Sequence, residues 1–274
     1  MKRVATIILN RNLPEVADKL HDHLINYDDE STDIFVLEAG SDKDKLSKHT
    51  TWHANSKDEM KKGLRYPRGM NYALSSLWKE GVFDNYDAFF LLTNDTELEK
   101  KSSLSTLLHI MDKNPTIGIL SPCGKSWGER LLLEKNSLKF FWYIHNSAYF
   151  LRREFIESVF NVKKPFTLNF LFDGNNFRGY QTESELVAKA YINDWSAAIT
   201  SEVLVSENES YLLDKSDLIK TETYDENLKL YVEEGKTWMR EKYGFNSRWT
   251  FQQYTKFFYD RFFELHPELI DFKI

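Results

Sequence analysis

The run Tyr86-Asp87-Ala88-Phe89-Phe90-Leu91-Leu92-Thr93-Asn94-Asp95-Thr96-Glu97 decides how this chain is read. Residues 88–92 are apolar at odd and even positions alike, the pattern of a strand covered on both faces by helices. The run then turns polar, so Asp95 and Glu97 would stand at the carboxyl end of a rigid element. Upstream, residues 4–9 are an apolar run of strand length, and Asp33-Ile34-Phe35-Val36-Leu37 reads as the next buried-type strand. Between them Pro14 stands at a helix start and Val16, Leu20 and Leu24 recur at helical spacing. After Pro67, the positions Met70, Ala73, Leu74 and Leu77 share one helical face. Residues 98–111 give another helix, closed at Lys113-Asn114-Pro115, and residues 117–120 a further strand. The order β-α-β-α-β-α-β predicts an α/β fold with a mostly parallel sheet and helices on both faces. Ligands of such sheets bind at the carboxyl ends of the strands, which gathers the loops at 10–13, 38–42 and 93–97 around one mouth.

Residues 124–176 are mixed, with the aromatic run Phe140-Phe141-Trp142-Tyr143-Ile144 and a helix over 153–160. The polar loop Asp173-Gly174-Asn175-Asn176-Phe177-Arg178-Gly179-Tyr180 leads into Thr182-Glu183-Ser184-Glu185-Leu186, where Thr182 followed by Glu185 has the form of a capping box. That helix is expected to reach Ile192. Strands over 196–205 precede two helices, 224–243 closed by Gly244 and 250–265 closed by Pro267. The expected division is a domain over 1–215 and a helical extension over 216–274. Rings near helical spacing in the last helix, with Lys256 and Arg261 among them, suit packing on the main domain or on a second copy; an interfacial membrane helix is the alternative.

Composition narrows the function. The 274 residues are 42% apolar and 28% charged, close to the globular average. Lys plus Arg total 36 against 42 Asp plus Glu, for a net charge of −6, so a broad basic face for nucleic acid has no support. A single cysteine, Cys123, excludes an intrachain disulfide framework and a multi-cysteine zinc site, and makes cytoplasm the expected compartment, with peripheral contact at the membrane's inner face as a variant. The first apolar run is too short for a secretory signal, and no apolar stretch is long enough to span a bilayer. Neither a Gly-x-Ser-x-Gly elbow nor a phosphate-binding Gly-rich loop occurs, against hydrolase, kinase and dinucleotide readings. Seven histidines show no metal-ligand spacing and are taken as structural or surface residues.

Two acidic positions can carry chemistry. Asp95 could offer oxygen ligands to a divalent cation or cap a helix starting near Leu98. Glu183, preceded by a Gly- and Asn-rich loop, could serve as a general base, while Glu185 suits a capping role.

The order of these segments resembles the inverting family-2 glycosyltransferases with the GT-A fold, over residues 4–210. Val4-Ala5-Thr6-Ile7-Ile8-Leu9-Asn10-Arg11-Asn12 is similar to that family's opening strand and loop. Ile34-Phe35-Val36-Leu37-Glu38-Ala39-Gly40-Ser41 resembles its Val-Val-Asp-Asn-x-Ser segment, and Arg68-Gly69-Met70-Asn71-Tyr72-Ala73 its Gly-x-x-Asn-x-Gly/Ala helix. Leu91-Leu92-Thr93-Asn94-Asp95-Thr96 resembles its Leu-Leu-Asn-x-Asp-Thr form of the Asp-x-Asp motif. Gly179-Tyr180-Gln181-Thr182-Glu183-Ser184-Glu185-Leu186 resembles its Gly-x-x-x-Glu-Asp-x-Asp-Leu segment.

The resemblance implies that Asn10, Asn12 and Glu38 line the base and ribose of a nucleotide-sugar donor. Arg68 and Asn71 would approach the nucleotide, with Thr93 and Asn94 in the donor site. Asp95 would hold a divalent cation, Mn2+ or Mg2+, on the donor diphosphate, and Glu207 would stand in for a histidine ligand. Glu183 would take the proton of a glycan or lipid-linked glycan acceptor, giving inversion. In this chain Thr93 stands where many members have the first Asp, and Glu38 replaces an Asp. A catalytically silent domain that binds glycans or proteins is the alternative; a nucleotidyltransferase ranks below both, since the 10–14 loop has no glycine.

Overall fold

The computed structural model describes residues 3–145, 148–208, 210 and 222–274; the division expected at 215/216 lies outside them. The strands are β1 (Val4–Asn10), β2 (Thr32–Ala39), β3 (Thr50–Ala54), β4 (Ala88–Thr93), β5 (Thr96–Leu98), β6 (Ile117–Gly124), β7 (Leu138–Phe140), β8 (Ala148–Arg152) and β9 (Ser196–Glu207). They form one sheet in the order β3-β2-β1-β4-β8-β6-β9-β5, with β7 also on β9. Six strands run one way; β5, β7 and β8 run against them. The sheet is mostly parallel, as expected, but antiparallel β8 separates β4 from β6.

Apolar burial accounts for the layering. Residues 88–92 of β4 are all buried, Phe90 meeting Phe150 of β8 edge to face. Helices α1 (Pro14–Asp28), α2 (Lys57–Lys62), α3 (Arg65–Lys79), α4 (Leu104–Lys113), α5 (Arg153–Val159) and α6 (Thr182–Ile192) surround the sheet. Gly69 of α3 lets that helix sit on β1, for a Cβ there would fall 2.5 Å from Leu9 Cδ1.

The helix expected over 98–111 begins only at Leu104, because β5 intervenes and pairs with β9. Its exposed backbone donors are met by Asp28 at the end of α1, which accepts from the amides of Ser103 (3.3 Å) and Leu104 (2.9 Å). Asp95 is therefore no helix cap.

Helices α7 (Tyr224–Tyr243) and α8 (Arg248–Leu265) complete the fold. A Thr223–Glu226 capping box starts α7, and Gly244, at φ 74°, ends it. The aromatic face of α8 turns inward: Tyr259, Phe262 and Phe263 join the main core, and Thr255 Oγ1 donates to the Ser184 carbonyl of α6 at 3.2 Å. Gly235 of α7 lies against Tyr180, 2.2 Å from where a Cβ would fall. Among the described residues, no helix is long and apolar enough to cross a membrane.

Candidate functional site

Sheet register builds one end of the site. Asn10 pairs with Glu38 across β1 and β2, and Leu9 with Thr93 across β1 and β4. Glu38 is fully buried, an arrangement costing several kcal/mol unless donors take its lone pairs. Asn10 Nδ2 gives both oxygens a hydrogen bond at 3.0 Å, the Ser47 amide donates at 2.8 Å, and Ser41 Oγ also donates. Asn94 Nδ2 donates to Asn10 Oδ1 at 2.7 Å, so Asn94, Asn10 and Glu38 form one polar chain. Asn12 sits at φ 55°, a conformation Asn tolerates, and its Oδ1 accepts from the Asp42 amide at 2.7 Å.

A cavity of about 320 Å³ opens beside this chain, lined among others by Asn10, Thr93, Asn94 and Asp95 with Arg11, Arg65 and Tyr66. Sequence reading missed the last three, although Arg11 lies between Asn10 and Asn12, and Arg65 and Tyr66 just precede the Arg68 motif. Arg11 donates from Nη2 to the Met60 carbonyl at 3.2 Å, while its buried Nε and Nη1 have no partner among the described residues. Burial, and next the charge of Arg65, lower the pKa of Arg11. Arg65 is itself tied to Glu222 at 2.9 Å. The wall is thus cationic and under-neutralised, a setting that favours an anion.

At the rim, β5 pairs Thr96 with Glu207, and the Asn208 amide donates to the Asp95 carbonyl at 2.9 Å. Asp95 and Glu207 are thereby brought to neighbouring backbone positions. His145, missed as a site residue, has Nε2 3.8 Å from Glu207 Oε2 and its ring stacked on Trp127. Burial pushes its pKa down to about 4, leaving a neutral imidazole. The backbone pairing brings the chain positions of Asp95 and Glu207 together, while among the described residues their carboxylates and the His145 ring do not form a cluster of ligand atoms.

Glu183 occupies the first turn of α6, behind a backbone that needs two left-handed residues, Gly179 (φ 80°) and Gln181 (φ 59°). The Glu183 side chain is 6% exposed, and Gln181 Nε2 donates to it at 3.2 Å. Burial raises its carboxyl from 4.5 to about 7. Around it stand tyrosines: burial first, then the charge of Glu183, raises the hydroxyl pKa of Tyr66, Tyr143 and Tyr231. Tyr66 thus lines the Asp95 cavity and also feels the charge of Glu183.

Other expected residues lie elsewhere. The Thr182–Glu185 capping box does not form: Gln181 is the cap position, and its side chain makes no capping bond. Glu185, 2% exposed, accepts from Lys242 Nζ and Tyr243 Oη, both at 2.6 Å, and so anchors α7. Lys242 also reaches Asp173 at 2.6 Å. Asn71 does not line the cavity; it is fully buried and bonds the backbone of Thr167, Leu171 and Phe172, pinning that loop to α3. Arg68 is turned away too, donating to the Gly174 carbonyl at 2.7 Å with its guanidinium over Phe177. Glu38 and Asn12 stand behind the cavity wall rather than in it. Cys123 is buried, its thiol pushed up to about 11, which leaves it poorly suited as a nucleophile.

No protein-family model matches the chain, and no curated protein matches it in sequence. Solved structures do match. A mannosyltransferase from Pyrobaculum calidifontis, in complex with GDP-Man and Mn2+, aligns with a TM-score of 0.50 at 13% identity over 75% of this chain and 56% of that one. GalNAc-T7 with UDP, GalNAc and Mn2+ aligns with a TM-score of 0.56 at 10% identity, covering 89% and 57%. Staphylococcus aureus TarS 1-349 with UDP-GlcNAc gives 0.52 at 13% identity, covering 96% and 73%. The chain spans little more than half the length of the first two. At these identities the likeness is one of fold: an α/β, GT-A-like architecture shared with glycosyltransferases.

Proposed function

We propose that this protein is a glycosyltransferase that moves a sugar from a nucleotide-sugar donor to a glycan hydroxyl, with inversion. One observation carries the reading: Tyr66 lines the cavity of Asn10, Asn94 and Asp95, and its hydroxyl also feels the charge of Glu183, which supports a reaction that uses both. The GT-A-like fold, shared with structures holding GDP-Man, UDP or UDP-GlcNAc, adds support.

In this reading Glu183 takes the proton of the acceptor hydroxyl as that oxygen attacks the anomeric carbon. The bond to the diphosphate breaks on the opposite face. A sugar hydroxyl is a weak nucleophile until a base takes its proton, and a carboxylate with a pKa near 7 is matched to that task near neutral pH. Asn10, engaged by Glu38 and Asn94, steadies Asn94 at the nucleotide end of the cavity. Arg11 and Arg65 bring cationic groups to the diphosphate. Asp95, with Glu207 beside it, would hold a divalent cation, which supplies charge neutralisation to the departing diphosphate.

Thr93 in place of an acidic residue, and the full enclosure of Glu38, favour the second reading, a silent domain that binds glycans or proteins. The experiment that separates the two is a hydrolysis and transfer screen over common nucleotide sugars, with and without Mn2+. Turnover abolished by Asp95→Ala and by Glu183→Gln is expected; an absence of turnover and of UDP, GDP or dTDP binding under every condition would reject the transferase.

A further inference from the structure

The segment joining β6 to β7, residues 125–137, turns apolar side chains outward. Leu131 is 89% exposed, Leu132 51% and Trp127 39%. Apolar residues scattered singly on a surface need no explanation, but three within so short a stretch make a patch. The exposed rings of α8 make none, since Trp249 and Phe257 stand about 12 Å apart along the helix.

The patch is presented by a held frame. At one end the Lys125 amide donates to the Val205 carbonyl of β9 at 2.8 Å, and at the other the Ser137 amide donates to Ser201 Oγ at 2.9 Å. Buried Glu129 accepts from the Gly124 amide at 3.3 Å, and Leu133 joins the main core. With those two filling the inner side, Leu131 and Leu132 are left to water. Trp127 stacks on His145, whose Nε2 is 3.8 Å from Glu207 Oε2, so the segment lies beside the rim of the candidate site.

Charge indicates what would cover the patch. The chain is −6 overall, yet Lys125, Arg130 and Lys135 are all exposed here, against Glu134 as the one exposed acid of the segment. A cavity of about 390 Å³ next to the leucines is lined by Arg130 and Lys135, together with Lys101, Glu99 and Glu202. Lys101 is engaged by Glu99 at 3.0 Å, so Arg130 and Lys135 outnumber the remaining Glu202. A Trp ring and leucines beside basic side chains suit a bilayer interface, where rings sit at headgroup level and cations meet anionic lipids.

We propose that residues 125–135 dock this protein on an anionic lipid surface, with Trp127, Leu131 and Leu132 entering the interface and Arg130 and Lys135 meeting the headgroups. The contact does not depend on the transferase reading. Taken with that reading, it would bring the rim at Glu207 close to the bilayer, within reach of an acceptor held by a lipid.

The test is flotation of the full chain, without any donor, with extruded vesicles of phosphatidylcholine alone and of an equimolar mixture with phosphatidylglycerol. Expected is binding to the mixture that high salt weakens. Leu131→Ser combined with Leu132→Ser, its folding verified by circular dichroism, should lower the partition coefficient at least about tenfold. Arg130→Gln combined with Lys135→Gln should lower it about tenfold on the mixture, and Phe257→Ser on α8 should leave it within about twofold. A parent chain that does not float with the mixture would overturn the proposal. So would equal binding to phosphatidylcholine alone, binding that survives the leucine pair, or binding lost with Phe257→Ser. Ultracentrifugation without vesicles covers the remaining occupant: a parent dimer that the leucine pair turns into monomers would assign the patch to a second copy and overturn the lipid contact. Nucleotide-sugar turnover in solution is measured separately, so the failure of either reading leaves the other standing.

Discussion

Glu38 and Glu183 are both buried glutamates, held in opposite ways. Glu38 is surrounded by donors, from Asn10, Ser41 and the Ser47 amide. Glu183 is surrounded by tyrosine rings and receives a side-chain donor from Gln181 alone among the described residues. The first carboxylate is a fixed part of the scaffold, its lone pairs already engaged. The second keeps the basicity its burial gives it, because little stabilises its charged form. Burial alone thus does not decide what a carboxylate can do; what matters is how many donors the fold directs at it.

Breaking this contrast at Glu183 should have the largest effect. Glu183→Gln is expected to lower transfer about 10²–10⁴-fold, the usual share of a general base, while leaving nucleotide affinity within about twofold. Steady-state kinetics and calorimetry check both parts. Next is Lys242→Met, which strands buried Glu185 and Asp173 and should cost about 3–5 kcal/mol in urea unfolding.

The raised pKa of Glu183 predicts a third effect. The folded carboxyl titrates near 7 against an ordinary 4.5, so between these values the unfolded chain releases a proton the folded chain keeps. Stability therefore falls as pH rises through that window, by about 3 kcal/mol at roughly 1.4 kcal/mol per unit. Glu183→Gln should remove the dependence, making the variant more stable than the parent at pH 8 and about equal at pH 4, by thermal melts. The parent's turnover should rise with pH through about 7.

Glu38→Gln turns an amide toward Asn10 Nδ2 and should cost about 1–3 kcal/mol, with weaker nucleotide binding. Smallest is Tyr243→Phe, which removes one bond to Glu185 and should cost about 1 kcal/mol.

Much of the scaffold was legible from local pattern. The double-sided apolar run at 88–92 and the ends of α7, set by Thr223 and Gly244, need no tertiary information. Antiparallel β8 was not legible, because Ala148–Arg152 follows an aromatic run that has the same apolar character without being a strand throughout. The site divided the same way. Asn10, Thr93, Asn94 and Asp95 lie at strand ends, and register brings them to one cavity. Glu185 was misread as a cap because its partners, Lys242 and Tyr243, are 57 and 58 residues away. Asn71 was misread because its role is to hold the backbone at 167–172.

The central claim is that Asp95 and Glu183 serve one transferred sugar. A crystal structure of Glu183→Gln with Mn2+ and an intact nucleotide sugar tests it most directly. The account predicts the ion on Asp95 and the anomeric carbon facing the carboxamide at position 183, with room for one acceptor hydroxyl between them. A donor bound with its sugar sealed off from position 183 by Tyr66 would contradict it.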